Sequence, residues 1–153
     1  MKSLIVCFLV FAFFDAKSQH LIDRSEKEVI EAVKKQHGII KKRRSVDKYG
    51  FSSVAFNYPD NIKLKKGIYF SLFNFKNNKC TEYTENYAGA EAINEQQSKL
   101  NINNSGFKRD GDNLKWISND KECQIHISEY FNNGQPTGRY VLTVSGKNTM
   151  FFE

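Results

Sequence analysis

The sequence GIYFSLFNFKNNKCTEYTENYAG, residues 67–89, contains the most regular strand pattern of the chain. Apolar and β-branched residues are frequent at positions 68–75 and again at positions 80–87, whereas the four residues between them, Lys76-Asn77-Asn78-Lys79, are polar. Aromatic and β-branched side chains favour strands, and a short Asn-rich segment between two strands favours a tight turn. The stretch therefore predicts a β-hairpin.

Apolar side chains occupy both faces of the first strand of this hairpin. Because successive side chains of a strand point to opposite faces, Tyr69, Phe73 and Phe75 share one face. Such a strand is either covered on both sides or covered once, with its second face open to a partner. Aromatic rings anchor many protein interfaces and sugar sites. We therefore predict an open binding face formed by some of Tyr69, Phe73, Phe75, Tyr83 and Tyr87, and the alternative is that these rings form the core.

The first 18 residues have the pattern of a secretory signal peptide. Lys2 precedes an apolar run at positions 4–14, and Ala16 and Ser18 are the small residues that a signal peptidase reads. We predict cleavage before Gln19 and a secreted or periplasmic protein. The apolar run is shorter than the ~20 residues that span a bilayer, and no later segment is longer, so we predict no transmembrane segment.

The charge of the chain is moderate and mixed. Lys and Arg number 23 and Asp and Glu number 17, which gives a net charge of +6. This balance suits solubility and is too small to predict nucleic-acid binding. The densest basic run, Lys41-Lys42-Arg43-Arg44, is typical of a solvated strand edge or turn, and the alternative is contact with an anionic lipid or polysaccharide.

Two cysteines remain after the predicted signal peptide, Cys80 and Cys123. In an oxidising compartment an even pair of cysteines is usually bridged, so we predict a disulfide between them. The alternative is a pair of free, buried thiols.

Two segments have helical patterns. Ser25 and Glu28 form a capping box at the start of residues 25–36, and Gly38 follows the basic last turn. The second predicted helix covers residues 90–100, where Ile93 and Leu100 are seven residues apart.

Strand patterns surround these helices. Beside the hairpin, strands are predicted at residues 51–58, 107–109, 114–118, 123–130 and 139–145, and loops or turns at residues 59–61, 110–113, 119–121 and 132–138. We predict an α+β fold with an antiparallel sheet of about eight strands and two helices on one face. Residues 19–153 form one domain in this prediction, and its halves, 19–88 and 89–153, resemble a tandem repeat of one helix and four strands.

Two resemblances follow from these residues. An aromatic strand leads from Tyr69-Phe70 through Asn78-Lys79-Cys80 to Tyr83, and an Asn-x-x-Trp strand spans Asn113 to Trp116. In this the chain resembles small secreted bacterial α+β proteins that have no assigned function. The order of one helix and four strands, repeated, is similar to the tandem architecture of the β-lactamase inhibitor protein family. The second resemblance implies a fold, and no contact residue of that family carries over.

Catalytic and metal-binding patterns are sparse. His126, Ser128 and Tyr130 share one face of a predicted strand, where their polar atoms could converge on a substrate. A polar outer face explains the same spacing. Asp110-x-Asp112-Asn113 lacks the later ligands of a calcium loop, so we predict a turn there, with no metal and no cofactor.

These patterns favour a binding protein over an enzyme. We predict a non-catalytic module that recognises a protein or a glycan through the aromatic face and nearby loops, of which residues 132–138 are a candidate. The alternatives are a small hydrolase-like enzyme with its site around His126 and a structural envelope protein. The sequence does not indicate an oligomeric state.

Overall fold

The computed structural model describes residues 21–38, 41–102, 106–111 and 114–147. The predicted signal peptide lies outside the described residues. The strands are β1 (Lys41–Val46), β2 (Phe51–Asn57), β3 (Ile68–Lys76), β4 (Lys79–Ala88), β5 (Phe107–Arg109), β6 (Lys115–Ser118), β7 (Cys123–Asn132) and β8 (Gln135–Gly146). The helices are α1 (Glu26–His37), α2 (Asp60–Lys66) and α3 (Ala90–Leu100).

All eight strands belong to one antiparallel sheet in the order β1-β2-β3-β4-β8-β7-β6-β5. Each half of the chain contributes a meander of four strands, and the two meanders meet where β4 pairs with β8. One helix precedes each meander, α1 before β1 and α3 before β5. The predicted α+β sheet of about eight strands is therefore confirmed, with α2 as a third, short helix.

The hairpin of β3 and β4 forms the centre of the first half. Asn77 and Asn78 have φ angles of 51° and 61° and lie between the paired residues Lys76 and Lys79. A two-residue turn with both residues in the left-handed region matches the twist of antiparallel strands, and Asn tolerates that region well. The predicted hairpin is confirmed, and its turn consists of Asn77 and Asn78 alone.

Both predicted helices are confirmed. The Ser25 Oγ accepts a hydrogen bond from the Glu28 N–H at 3.3 Å, and the Ser25 N–H donates to Glu28 Oε2 at 2.9 Å. This reciprocal capping box fixes the start of α1. The same helix buries Val29 and Val33, and α3 buries Ile93 and Leu100.

One row of paired residues shows where the core lies. Its members come from six strands, each is at most 3 % exposed, and each is the register partner of the next: Val54, Phe73, Tyr83, Val144, Ile125 and Trp116. The helices pack on this side of the sheet: Glu26 of α1 binds Arg44, which pairs with Val54, and Asn101 after α3 accepts a hydrogen bond from Trp116 Nε1. We call this side the covered face and the opposite side the helix-free face.

The segment after β2 is a helix and not the predicted turn. Residues 59–61 open α2, with Pro59 as its N-cap and Gly67 in the left-handed conformation (φ 64°) at its end. An added Cβ at Gly67 would lie 2.5 Å from the Cβ of Ala92, because α3 packs closely here. The loop predicted at residues 132–138 is also wrong. Only Asn133 and Gly134 form a turn, and β7 and β8 continue to either side of it.

The predicted disulfide is wrong in this structure, because Cys80 and Cys123 are both free. Cys80 lies on β4 and Cys123 on β7, and β8 runs between these two strands. Two strand spacings separate their Cα atoms by about 10 Å. A disulfide requires Cα atoms within about 7 Å, so the strand order itself keeps the thiols apart.

Candidate functional site

The five aromatic residues predicted to form an open face are not equivalent. Their exposed fractions are 44 % for Tyr69, 1 % for Phe73, 0 % for Phe75, 3 % for Tyr83 and 5 % for Tyr87. The last four point to the covered face, and Phe73 stacks on Tyr83 with ring centroids 5.1 Å apart. The prediction of an open face is therefore wrong for these four rings, which belong to the core.

Tyr69 is exposed because β3 contains a bulge. The register between β3 and β4 shifts between Ile68 and Phe70, so Tyr69 has no register partner on β4. A bulge inserts one extra residue and changes which side chains point inward. As a result, Ile68 is buried while Tyr69 is outside, with Lys63 Nζ 5.7 Å from its ring centroid.

Polar groups on the covered face form a small internal cluster. The hydroxyl groups of Tyr58 and Ser71 are 2.9 Å apart, and the Tyr87 hydroxyl donates to Glu85 Oε2 at 2.6 Å. The ring of His37, at the end of α1, contacts the ring of Tyr58 with a centroid distance of 4.7 Å. This cluster was not predicted from the sequence, although Ser71 and Glu85 are polar residues in phase with buried neighbours.

Burial controls the protonation of this cluster. It raises the pKa of the Glu85 carboxyl above its ordinary 4.5, against the Tyr87 hydrogen bond, which lowers it. Burial, with a smaller effect of the nearby Lys66 ammonium, lowers the pKa of His37 to about 4. The His37 Nδ1 atom is buried and has no hydrogen-bond partner in the described part of the chain. Neither of the two clefts described below is lined by any of these residues, so we assign the cluster to the packing of the core.

The helix-free face has a different organisation. A ladder of side-chain hydrogen bonds crosses four strands, from β2 through β3 and β4 to β8. The Ser53 Oγ donates to Asn74 Oδ1 at 2.8 Å, Asn74 Nδ2 donates to Glu82 Oε1 at 3.2 Å, and the Ser145 Oγ donates to Glu82 Oε2 at 3.3 Å. We call these four residues the polar ladder. Their mutual bonds hold these side chains in fixed positions, and Ser53, Asn74 and Glu82 are half-buried whereas Ser145 is buried.

A second row on the helix-free face is partly apolar and accessible. It runs through register partners on five strands, Ala55, Leu72, Thr84, Thr143 and His126. The first four are half-buried and His126 is exposed. None of the three described helices covers this row, so these side chains can contact another molecule directly.

The residues of the alternative enzyme site share the helix-free face but do not converge. His126, Ser128 and Tyr130 occupy alternate positions of β7 and are therefore about 7 Å apart from one to the next. Within the described chain no hydrogen bond joins their side chains. Tyr130 is 57 % exposed near the end of the β7–β8 hairpin. The arrangement supplies a polar surface and no acid–base pair in contact.

Two open clefts lie at the rim of the sheet. The first, of about 450 Å³, lies between α1 and β1 and includes Lys34, Lys42 and Arg44. The second, of about 480 Å³, is lined by Asn77 of the β3–β4 turn and includes Lys76 and Lys147. Both also contain carboxylates, and Glu26 and Glu122 are bound to Arg44 and Lys147 at 2.7 and 2.9 Å.

The described residues contain no group of three His, Cys, Asp or Glu side chains arranged to hold a metal ion. Burial raises the pKa of both thiols, Cys80 and Cys123, to about 12. A thiol reacts as the thiolate, so neither cysteine has the environment of a nucleophile.

Comparison of the chain with models of protein families, with curated proteins and with solved structures found no match. The similarity to the β-lactamase inhibitor protein family therefore stays a prediction. Among the described helices, none combines the length and the apolar character needed to cross a membrane.

Proposed function

We propose that this protein is a non-catalytic binding module and that it recognises a folded protein through the helix-free face of its sheet. The observation that supports the proposal is the polar ladder beside the accessible row of Leu72, Thr84 and Thr143. Fixed hydrogen-bonding groups next to half-exposed apolar groups lose little conformational entropy when a partner binds.

The dimensions of the surface favour a protein over a small ligand. Eight strands at the usual spacing are about 34 Å wide, and six residues of strand are about 20 Å long, which gives at most roughly 700 Å² because β5 and β6 have only 3 and 4 residues. A stable complex buries about 800 Å² on each partner, so this face with some rim contacts is large enough. The polar ladder does not line either cleft, and a flat surface suits a protein better than an enclosed glycan.

The location of the protein is part of the same proposal. Lys2 and the apolar run at residues 4–14 support export from the cytoplasm and cleavage before Gln19. Amino-terminal sequencing of the protein isolated from its native source tests this. A mature chain that begins at Gln19 supports export, and a chain that begins at Met1 contradicts it.

Affinity measurements with matched variants test the binding surface. A partner captured from native extract is purified, and its Kd is measured for wild type and for Thr84→Lys/Thr143→Lys. We expect the two lysines to weaken binding by about 100-fold, since each places a long charged side chain in the contact. The control is Gln36→Lys/Asn94→Lys, which adds the same charges to exposed positions of α1 and α3. Equal affinity of the two double variants, with equal melting temperatures, would contradict the proposal.

A further inference from the structure

The turn between β1 and β2 presents apolar side chains to solvent at the end of the sheet. Val46 is 56 % exposed, Tyr49 73 % and Phe51 43 %. We call residues 46–51 the hairpin tip. Val46 shares a face with its register partner Ser52, whereas Phe51 points to the opposite face, so the tip carries exposed apolar groups on both sides.

The hairpin tip is a rigid structure. The Asp47 Oδ1 accepts hydrogen bonds from the N–H groups of Tyr49 and Phe51 at 2.8 and 2.9 Å, and the Asp47 N–H donates to the Phe51 carbonyl at 2.9 Å. The only carboxylate of the tip is therefore occupied by backbone groups. The apolar side chains are held outward by this turn and do not fold back on the sheet.

Cations lie directly beside these apolar groups. Lys48 Nζ is 4.9 Å from the ring centroid of Tyr49, and Lys76 Nζ is 5.5 Å from that of Phe51. Arg43 is exposed on β1, which is an edge strand. In the described part of the chain, no carboxylate forms an ion pair with Lys48, Lys76 or Arg43. The net charge of the whole chain, +6, has the same sign as this surface.

We propose that the hairpin tip docks the protein on an anionic lipid surface. Aromatic rings partition to the boundary between headgroups and acyl chains, and lysines beside them contact lipid phosphates while their aliphatic stems lie along the apolar layer. A soluble polyanion would use the cations alone and would leave Val46 and Tyr49 without a role. This inference uses another surface and is independent of the proposed protein partner.

The β7–β8 hairpin provides an internal comparison. Tyr130 and Phe131 are 57 % and 54 % exposed, as accessible as the rings of the tip. The register partner of Tyr130 is Arg139, and no lysine lies over either ring in the described residues. If exposed rings alone caused lipid binding, both hairpins would bind, whereas the combination of rings and lysines selects the tip.

Vesicle sedimentation tests the inference. The purified full chain is mixed with vesicles of phosphatidylcholine or of equal parts phosphatidylcholine and phosphatidylglycerol. Binding to the neutral vesicles gives the baseline for apolar contacts, and the variants described next separate the contribution of the tip from that of residues 1–18, which all of them share. We expect about tenfold tighter binding to the anionic vesicles, and a decline of this preference with added salt.

Two double variants of the tip and two matched controls test whether the rings and lysines of the tip bind the lipid, or whether exposed rings and charges elsewhere do so equally well. We expect Tyr49→Ser/Phe51→Ser to weaken anionic-vesicle binding about tenfold and Lys48→Glu/Lys76→Glu to abolish the preference. The controls Tyr130→Ser/Phe131→Ser and Lys108→Glu/Arg139→Glu should bind like wild type. Thermal melts establish that each variant is folded.

Three results would overturn the inference. The first is equal binding of wild type to neutral and anionic vesicles. The second is loss of binding in the controls to the same degree as in the tip variants. The third is loss on charge reversal with full binding by Tyr49→Ser/Phe51→Ser, which would assign the tip to a soluble polyanion.

Discussion

The two faces of the sheet share one backbone framework and differ in what their side chains contact. On the covered face, Phe73 and Tyr83 pack beneath the helices and are 1 % and 3 % exposed. On the helix-free face, the next residues along the same strands, Leu72 and Thr84, are half-buried. The buried aromatic residues of the hairpin therefore stabilise the fold, while polar and small residues of the same strands lie on the helix-free face.

The largest expected effect distinguishes the two faces at adjacent positions. Phe73 contacts Tyr83 and Phe56, with centroid distances of 5.1 and 5.6 Å. We expect Phe73→Ala to lower the free energy of unfolding by about 3–5 kcal/mol, because it leaves a cavity in the core. Leu72→Ala should cost less than about 1.5 kcal/mol. Urea unfolding of both variants measures this, and equal losses would contradict the assignment of the faces.

Local patterns in the sequence were sufficient to predict the hairpin, α1, α3 and the class of the fold. The capping box of Ser25 and Glu28 and the Asn77-Asn78 turn depend on neighbouring residues only, so the sequence specifies them directly. Alternation likewise identifies Phe73 and Phe75 as partners on one face. It does not state which face the helices cover, because that choice depends on packing between distant segments.

Three features of the structure could not be predicted from local sequence patterns, and each has a physical reason. The bulge at Tyr69 changes the inward phase of β3 by one residue, and no residue type marks it. The short helix α2 has few apolar residues, of which Leu64 is 89 % exposed, so it lacks an amphipathic period. The separation of Cys80 from Cys123 follows from the strand order, which is set by long-range pairing. The candidate site was missed for the same reason, since the polar ladder joins four strands.

The second prediction concerns His37, whose imidazole ring lies on the covered face. Its pKa is lowered from 6.5 to about 4, so the folded chain binds this proton less readily than the unfolded chain. The contribution of the neutral His37 side chain to folding stability is complete above pH 6.5 and is lost as the pH falls towards 4. We expect the free energy of unfolding of wild type to fall by about 2 kcal/mol between pH 6.5 and pH 4. This value is reduced to allow for the partly exposed ring.

The variant His37→Phe keeps a ring against Tyr58 and cannot titrate. Chemical unfolding between pH 7 and pH 4 should show a smaller loss of stability for this variant than for wild type. The free-energy difference between the two proteins is the quantity of interest, because the carboxylates titrate in both. Parallel losses in the two proteins would show that the imidazole is protonated equally well in the folded state.

Two glutamates of β4, Glu85 and Glu82, lie on opposite faces of the sheet. The pKa of Glu85 is raised from 4.5 by burial, so wild-type stability falls as the pH rises from 4.5 through the folded-state pKa. Glu85→Gln should therefore raise the unfolding free energy at pH 7 and have little effect below pH 4.5, because the amide carries no charge to bury. Glu82, on the helix-free face, accepts bonds from Asn74 and Ser145.

We expect Glu82→Gln to destabilise the protein by about 0.5–1 kcal/mol at pH 7, because the amide replaces one acceptor by a donor. Thermal and urea unfolding of both variants at pH 7 and pH 4 test the contrast. A stabilised Glu82→Gln together with a destabilised Glu85→Gln would reverse the roles of the two carboxylates.

The smallest expected effect concerns the two cysteines. Because β8 separates β4 from β7, a bridge between Cys80 and Cys123 would require the sheet to rearrange. We expect dithiothreitol to leave the melting temperature unchanged within about 1 °C, whereas loss of a native disulfide usually costs about 2–5 kcal/mol. Alkylation with iodoacetamide should be slow for both thiols in the folded protein and slower for buried Cys80 than for half-buried Cys123. A cross-linked peptide containing Cys80 and Cys123 from the unreduced protein would contradict the strand order on which both faces depend.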